Sequence, residues 1–199
     1  MNHPYKNVFS IKVSLLETNP LVWRKIEISE SATFYDLHVA LQDAMGWWDY
    51  HLFQFHIGKG KNALKIGVPD PDFEMGCETA WEISLKEICQ PGLNKIIYEY
   101  DFGDSWDHLI EIEGFYPKTK GTRYPQCLDG ENTCPPEDCG GVWGFEEFKS
   151  AMFDTTHEQH DMFKKWFGKK FDPSVFNKAK VKFRNPTIAL KKRLEQNSM

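Results

Sequence analysis

Asp101, Asp104, Asp107 and His108 fall within eight residues of one another in the stretch Tyr98-Glu99-Tyr100-Asp101-Phe102-Gly103-Asp104-Ser105-Trp106-Asp107-His108. Carboxylates and an imidazole at this density are the donors with which a protein holds a divalent cation and lets it activate water for hydrolysis. The catalytic candidates on that reading are Asp101, Asp104 and His108, with His51 as a fourth if it converges on Asp101 or Asp104. The competing reading is structural: Asp104 and Ser105 form a turn, and Asp101 and Asp107 bond backbone amides or pair with basic side chains. Strand geometry sends His108 to the Trp106 and Ile110 face and Asp107 to the other, so a shared ion would need a bulge.

Cys127, Cys134 and Cys139 form a second constellation, spaced Cys-x6-Cys-x4-Cys in a turn-rich segment. Three thiolates with His157 or His160 as fourth ligand would make a structural zinc site, although the spacing lacks a Cys-x2-Cys knuckle. Buried or free thiols are the alternative. A third set is aromatic. Trp47, Trp48, Trp106 and Trp143 could floor a pocket or peptide groove, or simply pack in the core. Between Lys164 and Arg193 lie eleven basic residues and one acid, against 13 basic and 28 acidic residues elsewhere. That segment either contacts nucleic acid through phosphates or remains solvated or docked on the acidic body.

The elements that must position these residues are legible in outline. Hydrophobic residues make up 41% of the 199-residue chain and aromatics 15%, which excludes global disorder. No apolar run approaches the ~20 residues of a membrane span. The opening Met1-Asn2-His3-Pro4-Tyr5-Lys6 lacks a secretory pattern, and five cysteines cannot all pair within one chain. A cytoplasmic protein is expected.

Alternation predicts strands over residues 8–16 and 21–28, paired antiparallel across Glu17-Thr18-Asn19-Pro20, and a third strand over 52–57. Thr33 with Asp36, then Phe34, Leu37, Leu41, Ala44 and Met45, and finally Gly46, spell a capped helix. Ser84 caps a short turn through Leu85 and Ile88. The Tyr98–His108 stretch reads as a hairpin with Gly103 taking the positive φ. Residues 117–141 read as a loop. Two helices follow, striped by Val142, Phe145, Phe148 and Met152 and by Met162, Phe163, Trp166 and Phe167. Asp172-Pro173 and Asn185-Pro186 each look like a helix start. The predicted fold class is α+β: a compact roll with a mostly antiparallel sheet, helices packed on it and a helical C-terminal tail. Residues 5–170 make one domain and 171–199 a basic extension.

The succession Val22-Trp23-Arg24-Lys25, Ala44-Met45-Gly46-Trp47, His51-Leu52-Phe53-Gln54-Phe55, Tyr98 to His108, Tyr124-Pro125-Gln126-Cys127 and Cys134-Pro135-Pro136-Glu137-Asp138-Cys139-Gly140-Gly141 resembles the plasmid pRiA4b open-reading-frame-three-like family over residues 5–180. The resemblance implies a compact α+β roll, no defined activity and a link to mobile genetic elements. Its members often carry a resolvase label taken from an insertion-element passenger. A serine recombinase needs a nucleophilic serine backed by arginines, and this chain has four arginines and no serine in an arginine-rich setting. That activity is not carried over.

Three functions are therefore in play. The preferred one is a binding or adaptor module for a protein or small-molecule partner. The rivals are a metal-dependent hydrolase built on the acidic hairpin and a nucleic-acid binder acting through the Lys164–Arg193 segment. P-loop, Gly-x-Gly-x-x-Gly, His-Glu-x-x-His and Gly-x-Ser-x-Gly motifs do not occur, which tilts the reading away from those enzyme classes.

Overall fold

Strand pairing follows the alternation. In the computed structural model, which describes residues 6–69 and 76–196, β1 (Asn7–Leu15) and β2 (Val22–Ser29) pair antiparallel from Val8 opposite Ser29 to Leu15 opposite Val22. Along β2 the residues Val22, Arg24, Ile26 and Ile28 are buried, and the intervening ones are half-buried. A cation thus lies on the core face. Arg24 is satisfied by carbonyls: its Nε donates to Ala44 O, Nη1 to Trp23 O and Glu131 O, and Nη2 to Asn132 O. Its guanidinium also stacks 3.8 Å over the Phe176 ring.

Six more strands complete one sheet: β3 (Phe53–Ile57), β4 (Leu64–Gly67), β5 (Glu78–Thr79), β6 (Lys95–Tyr100), β7 (Trp106–Pro117) and β8 (Gln126–Glu131). The order is β5-β4-β3-β6-β7-β1-β2-β8, and every pair is antiparallel except β4 with β5. Three of these strands escape the sequence pattern. β4 and β5 are short strands at one end of the sheet, in and after a Gly- and Pro-rich connection. β8 runs through the expected loop, where Gln126-Cys127-Leu128-Asp129-Gly130-Glu131 shows no alternation of apolar and polar residues.

Helix α1 (Phe34–Met45) starts with a complete capping box between Thr33 and Asp36 and ends at Gly46, whose φ of 88° suits glycine. It is buried almost all round, including His38 and Gln42, so it needs partners on two sides. The sheet supplies one through Phe53, Phe55, Tyr98 and Tyr100. The C-terminal extension supplies the other: α5 (Pro186–Gln196) packs against α1, and Asp43 accepts from Arg184 N at 2.7 Å. Between them, α2 (Leu85–Ile88) is the short turn capped by Ser84, while α3 (Gly141–Phe153) and α4 (His160–Phe167) form an aromatic cluster through Phe148, Phe163 and Phe167. The fold is α+β.

Two local expectations are corrected. Asp172 does not begin a helix; its carboxylate accepts from Ser174 N and Oγ in a turn, and a 3-10 turn forms at Lys178–Lys180 instead. In the hairpin the positive φ values belong to Asp101 (57°) and Ser105 (53°), not Gly103. Aspartate tolerates this region when its carboxylate binds nearby amides, and Asp101 Oδ1 accepts from Gly103 N at 3.0 Å.

Candidate functional site

The β6–β7 hairpin sorts its acids by face, as the strand period requires. His108 is fully buried; its Nδ1 lies 3.2 Å from Tyr98 O and 3.0 Å from Trp106 O, and burial lowers its pKa to about 4. A ring nitrogen bonding two carbonyls is the protonated one, so His108 is a neutral core residue and not a partner of the aspartates. Asp104 turns away too: its Oδ2 accepts from Gly140 N at 3.1 Å and ties the hairpin to the start of α3. Of the four catalytic candidates, only Asp101 and His51 converge, with His51 Nε2 3.5 Å from Asp101 Oδ2.

A third residue joins them from the cysteine-containing loop. Asp138 Oδ1 lies 3.0 Å from His51 Nε2, and the ligand atoms of His51, Asp101 and Asp138 all lie within 4.8 Å of one another. The sequence reading missed Asp138. Its signal was weak: one acid between Glu137 and Cys139, with no periodic element around it. Two ties hold the loop there. Trp47 Nε1 donates to Pro135 O at 2.9 Å, and the Glu137 carboxylate accepts from Trp48 N and from the Tyr100 hydroxyl, each at 2.6 Å. Burial, reinforced by the Glu137 carboxylate, pushes the Tyr100 hydroxyl well above its ordinary pKa, so it stays a donor.

A second polar network runs beneath α1. His38 Nε2 and Asp49 Oδ1 are 2.7 Å apart, His38 Nδ1 and the Tyr98 hydroxyl are 2.7 Å apart, and Gln42 Nε2 donates to that hydroxyl at 3.0 Å. Burial lowers His38 to about 4 against the opposing pull of Asp49, so the ring is neutral at pH 7. Burial alone would raise Asp49, but His38 and Arg193 hold it below the usual carboxylate range. Arg193 pairs with Asp49 and also donates to His51 O at 3.2 Å. The extension therefore braces the residue that faces Asp101 and Asp138.

The four tryptophans divide. Trp47 and Trp106 are in the core, whereas Trp48 is 70% and Trp143 88% exposed. Trp48 borders a cleft of about 650 Å³ with Tyr50, Trp166, Phe176, Lys169 and Lys180, and Asp138 sits on its wall. Trp143, at the start of α3, is not among the cleft-lining residues.

The cysteine set does not assemble. Among the described residues, the metal-sized group of donors is His51, Asp101 and Asp138, and Cys127, Cys134, Cys139, His157 and His160 form none. The 13 residues of α3 carry the chain on the order of 20 Å from Cys139 before the histidines. There His157 meets Glu147 at 3.3 Å and His160 bonds Ala151 O at 2.7 Å. Burial pushes the Cys139 thiol to about 12 and raises Cys134 as well, so in the metal-free chain both are protonated.

The plasmid pRiA4b ORF-3-like protein family model matches residues 7–180. The chain belongs to this family. It is 36% identical over 173 residues to the uncharacterized protein y4hQ of Sinorhizobium fredii, covering 86% of this chain and 87% of that one. It also superimposes on the crystal structure of a protein of unknown function from Methanosarcina mazei Go1, with a TM-score of 0.82, 34% identity, and coverage of 90% of this chain and 99% of the other. Several of the segments that carry the family resemblance meet here: Gly46-Trp47 with His51, the Tyr98–His108 hairpin, and Cys134 to Gly141. No helix among the described residues is long and apolar enough to cross a membrane.

Proposed function

We propose that this protein is a binding module and that the cleft beside Trp48 receives a segment of a protein partner. The observation that carries this reading is the exposure of Trp48, Tyr50 and Trp166 around one concavity in a chain whose other aromatics are mostly packed away. Large amphipathic rings at the mouth of a cleft are the anchors that bury most area per ordered side chain on association. The volume of about 650 Å³ suits a short peptide stretch with one or two apolar anchors. Lys169, Lys180 and Asp138 in the lining supply charges of both signs to orient it.

The nucleic-acid reading is supported less. Arg184 is held by Asp43, Arg193 by Asp49, and Lys178 donates to Leu128 O. These cations serve the protein's own acids and carbonyls. Five free thiols suit a reducing compartment, and we place the protein in the cytoplasm on that ground.

Selection of a displayed random-peptide library against the protein tests the proposal. Enriched peptides should carry aromatic or aliphatic anchors, and their binding should fall about tenfold or more with Trp48→Ala or Tyr50→Ala, the two most exposed of these rings, at 70% and 71%. Failure to enrich any sequence, or binding indifferent to both substitutions, would count against it.

A further inference from the structure

We infer that His51, Asp101 and Asp138 form a binding site for a divalent first-row transition-metal ion, Zn²⁺ or Mn²⁺. Three donors from three separate segments meet here: the α1–β3 connection, the β6–β7 turn and the loop before α3. His51 Nε2 lies 3.0 Å from Asp138 Oδ1 and 3.5 Å from Asp101 Oδ2, the separation of neighbouring ligands around one ion at bonds of about 2.1 Å.

His51 itself points to a ligand. Its Nε2 is closed to solvent, and no hydrogen bond reaches it. Two carboxylate oxygens lie 3.0 and 3.5 Å away, close enough for ion pairing, yet the nitrogen meets neither at hydrogen-bonding geometry. A solvent-closed nitrogen left unbonded beside two carboxylates is placed to donate its lone pair to a cation lying among them.

The surroundings hold the donors in place. Tyr100 accepts from His51 N at 3.4 Å, and Arg193 donates to His51 O at 3.2 Å. Asp101 anchors one oxygen, Oδ1, on the amides of Gly103 and Asp104, and presents the other, Oδ2, to His51. Bound backbone and outer-shell partners of this kind orient metal ligands.

Donor chemistry selects the ion. The imidazole suits zinc, the two carboxylates suit manganese, and the lack of thiolate disfavours copper(I). Two carboxylates balance a dication. Three protein ligands leave coordination positions for water or for a donor atom of a guest, and Asp138 places the ion at the edge of the cleft. The site does not depend on the peptide reading.

The test is calorimetric titration of chelator-treated, untagged full-length protein with Zn²⁺ and, separately, Mn²⁺, with circular dichroism to confirm folding. One ion per chain is expected. His51→Gln and Asp138→Asn should each weaken binding about tenfold or more, and Cys127→Ser should leave it unchanged. Cobalt(II) in the same site should show no intense sulfur charge-transfer band. The inference is overturned by no binding of either ion, by binding that survives both substitutions, or by a cobalt spectrum showing thiolate ligation.

Discussion

At the scale of single residues, two histidines show how burial replaces chemistry with structure. His38 and His108 are both fully buried and both lowered to about 4, chiefly by loss of solvent. The unfolded chain binds protons at these positions from about pH 6.5 downward, and the folded chain does not until about pH 4. The unfolded state then holds more protons in that window, so stability falls as pH drops from about 6.5 to 4. Asp36, Asp43 and Asp107, whose carboxyls burial holds above the ordinary value, oppose part of the loss. Asp49 acts in the same direction as the histidines but below the usual carboxylate range. Urea midpoints should therefore decline between pH 6.5 and 4.5, and His108→Gln should flatten the decline relative to wild type. An equal slope in the two proteins would show that His108 is not the buried neutral group described.

At the scale of elements, the close approach of α3 to the hairpin is what delivers Asp138 to its neighbours. Gly141 has φ 67°, and a Cβ there would sit 2.5 Å from the backbone oxygen of Asp104. Gly141→Ala should cost roughly 1–3 kcal/mol in urea unfolding, from backbone strain and steric conflict together, and should break the Gly140–Asp104 bond. Gly168 is the control. Its φ is similar, 69°, but its Cβ would meet nothing within 4 Å, so Gly168→Ala should cost only the conformational share, about 1 kcal/mol. If the two substitutions cost the same, the close approach is not important to stability.

At the scale of the whole molecule, the basic extension is a structural part. It covers the outer side of α1 and supplies Arg193, which neutralises Asp49 where both side chains are nearly buried. Deleting residues 186–199 would leave Asp49 buried beside a neutral His38 without its cation. The expected loss is on the order of 3–5 kcal/mol, and Arg193→Gln alone should reproduce much of it. Because the pair is shielded, 1 M salt should alter wild-type stability little at constant pH. A truncated protein with wild-type urea stability would show that the extension is dispensable.

How much of this was legible in the residues follows from the range of each interaction. Period-2 alternation marked β1, β2, β3 and the hairpin, and the Thr33–Asp36 box with Gly46 marked α1, because side-chain direction and capping are properties of a few consecutive residues. The same rule correctly separated Asp107 from His108. β8 and Asp138 were not legible, since neither belongs to a periodic run. Likewise nothing local distinguishes Trp47 from Trp48, or says that Arg193 reaches Asp49. Those outcomes depend on which loops dock together: Glu137 on Trp48 and Tyr100, Asp104 on Gly140, and α5 on α1. The sequence by itself determined β1, β2, β3 and the hairpin strands, the caps of α1 and the family. Only the tertiary structure decided which three of its many acids and histidines meet, because that meeting is made by contacts between segments far apart in the chain.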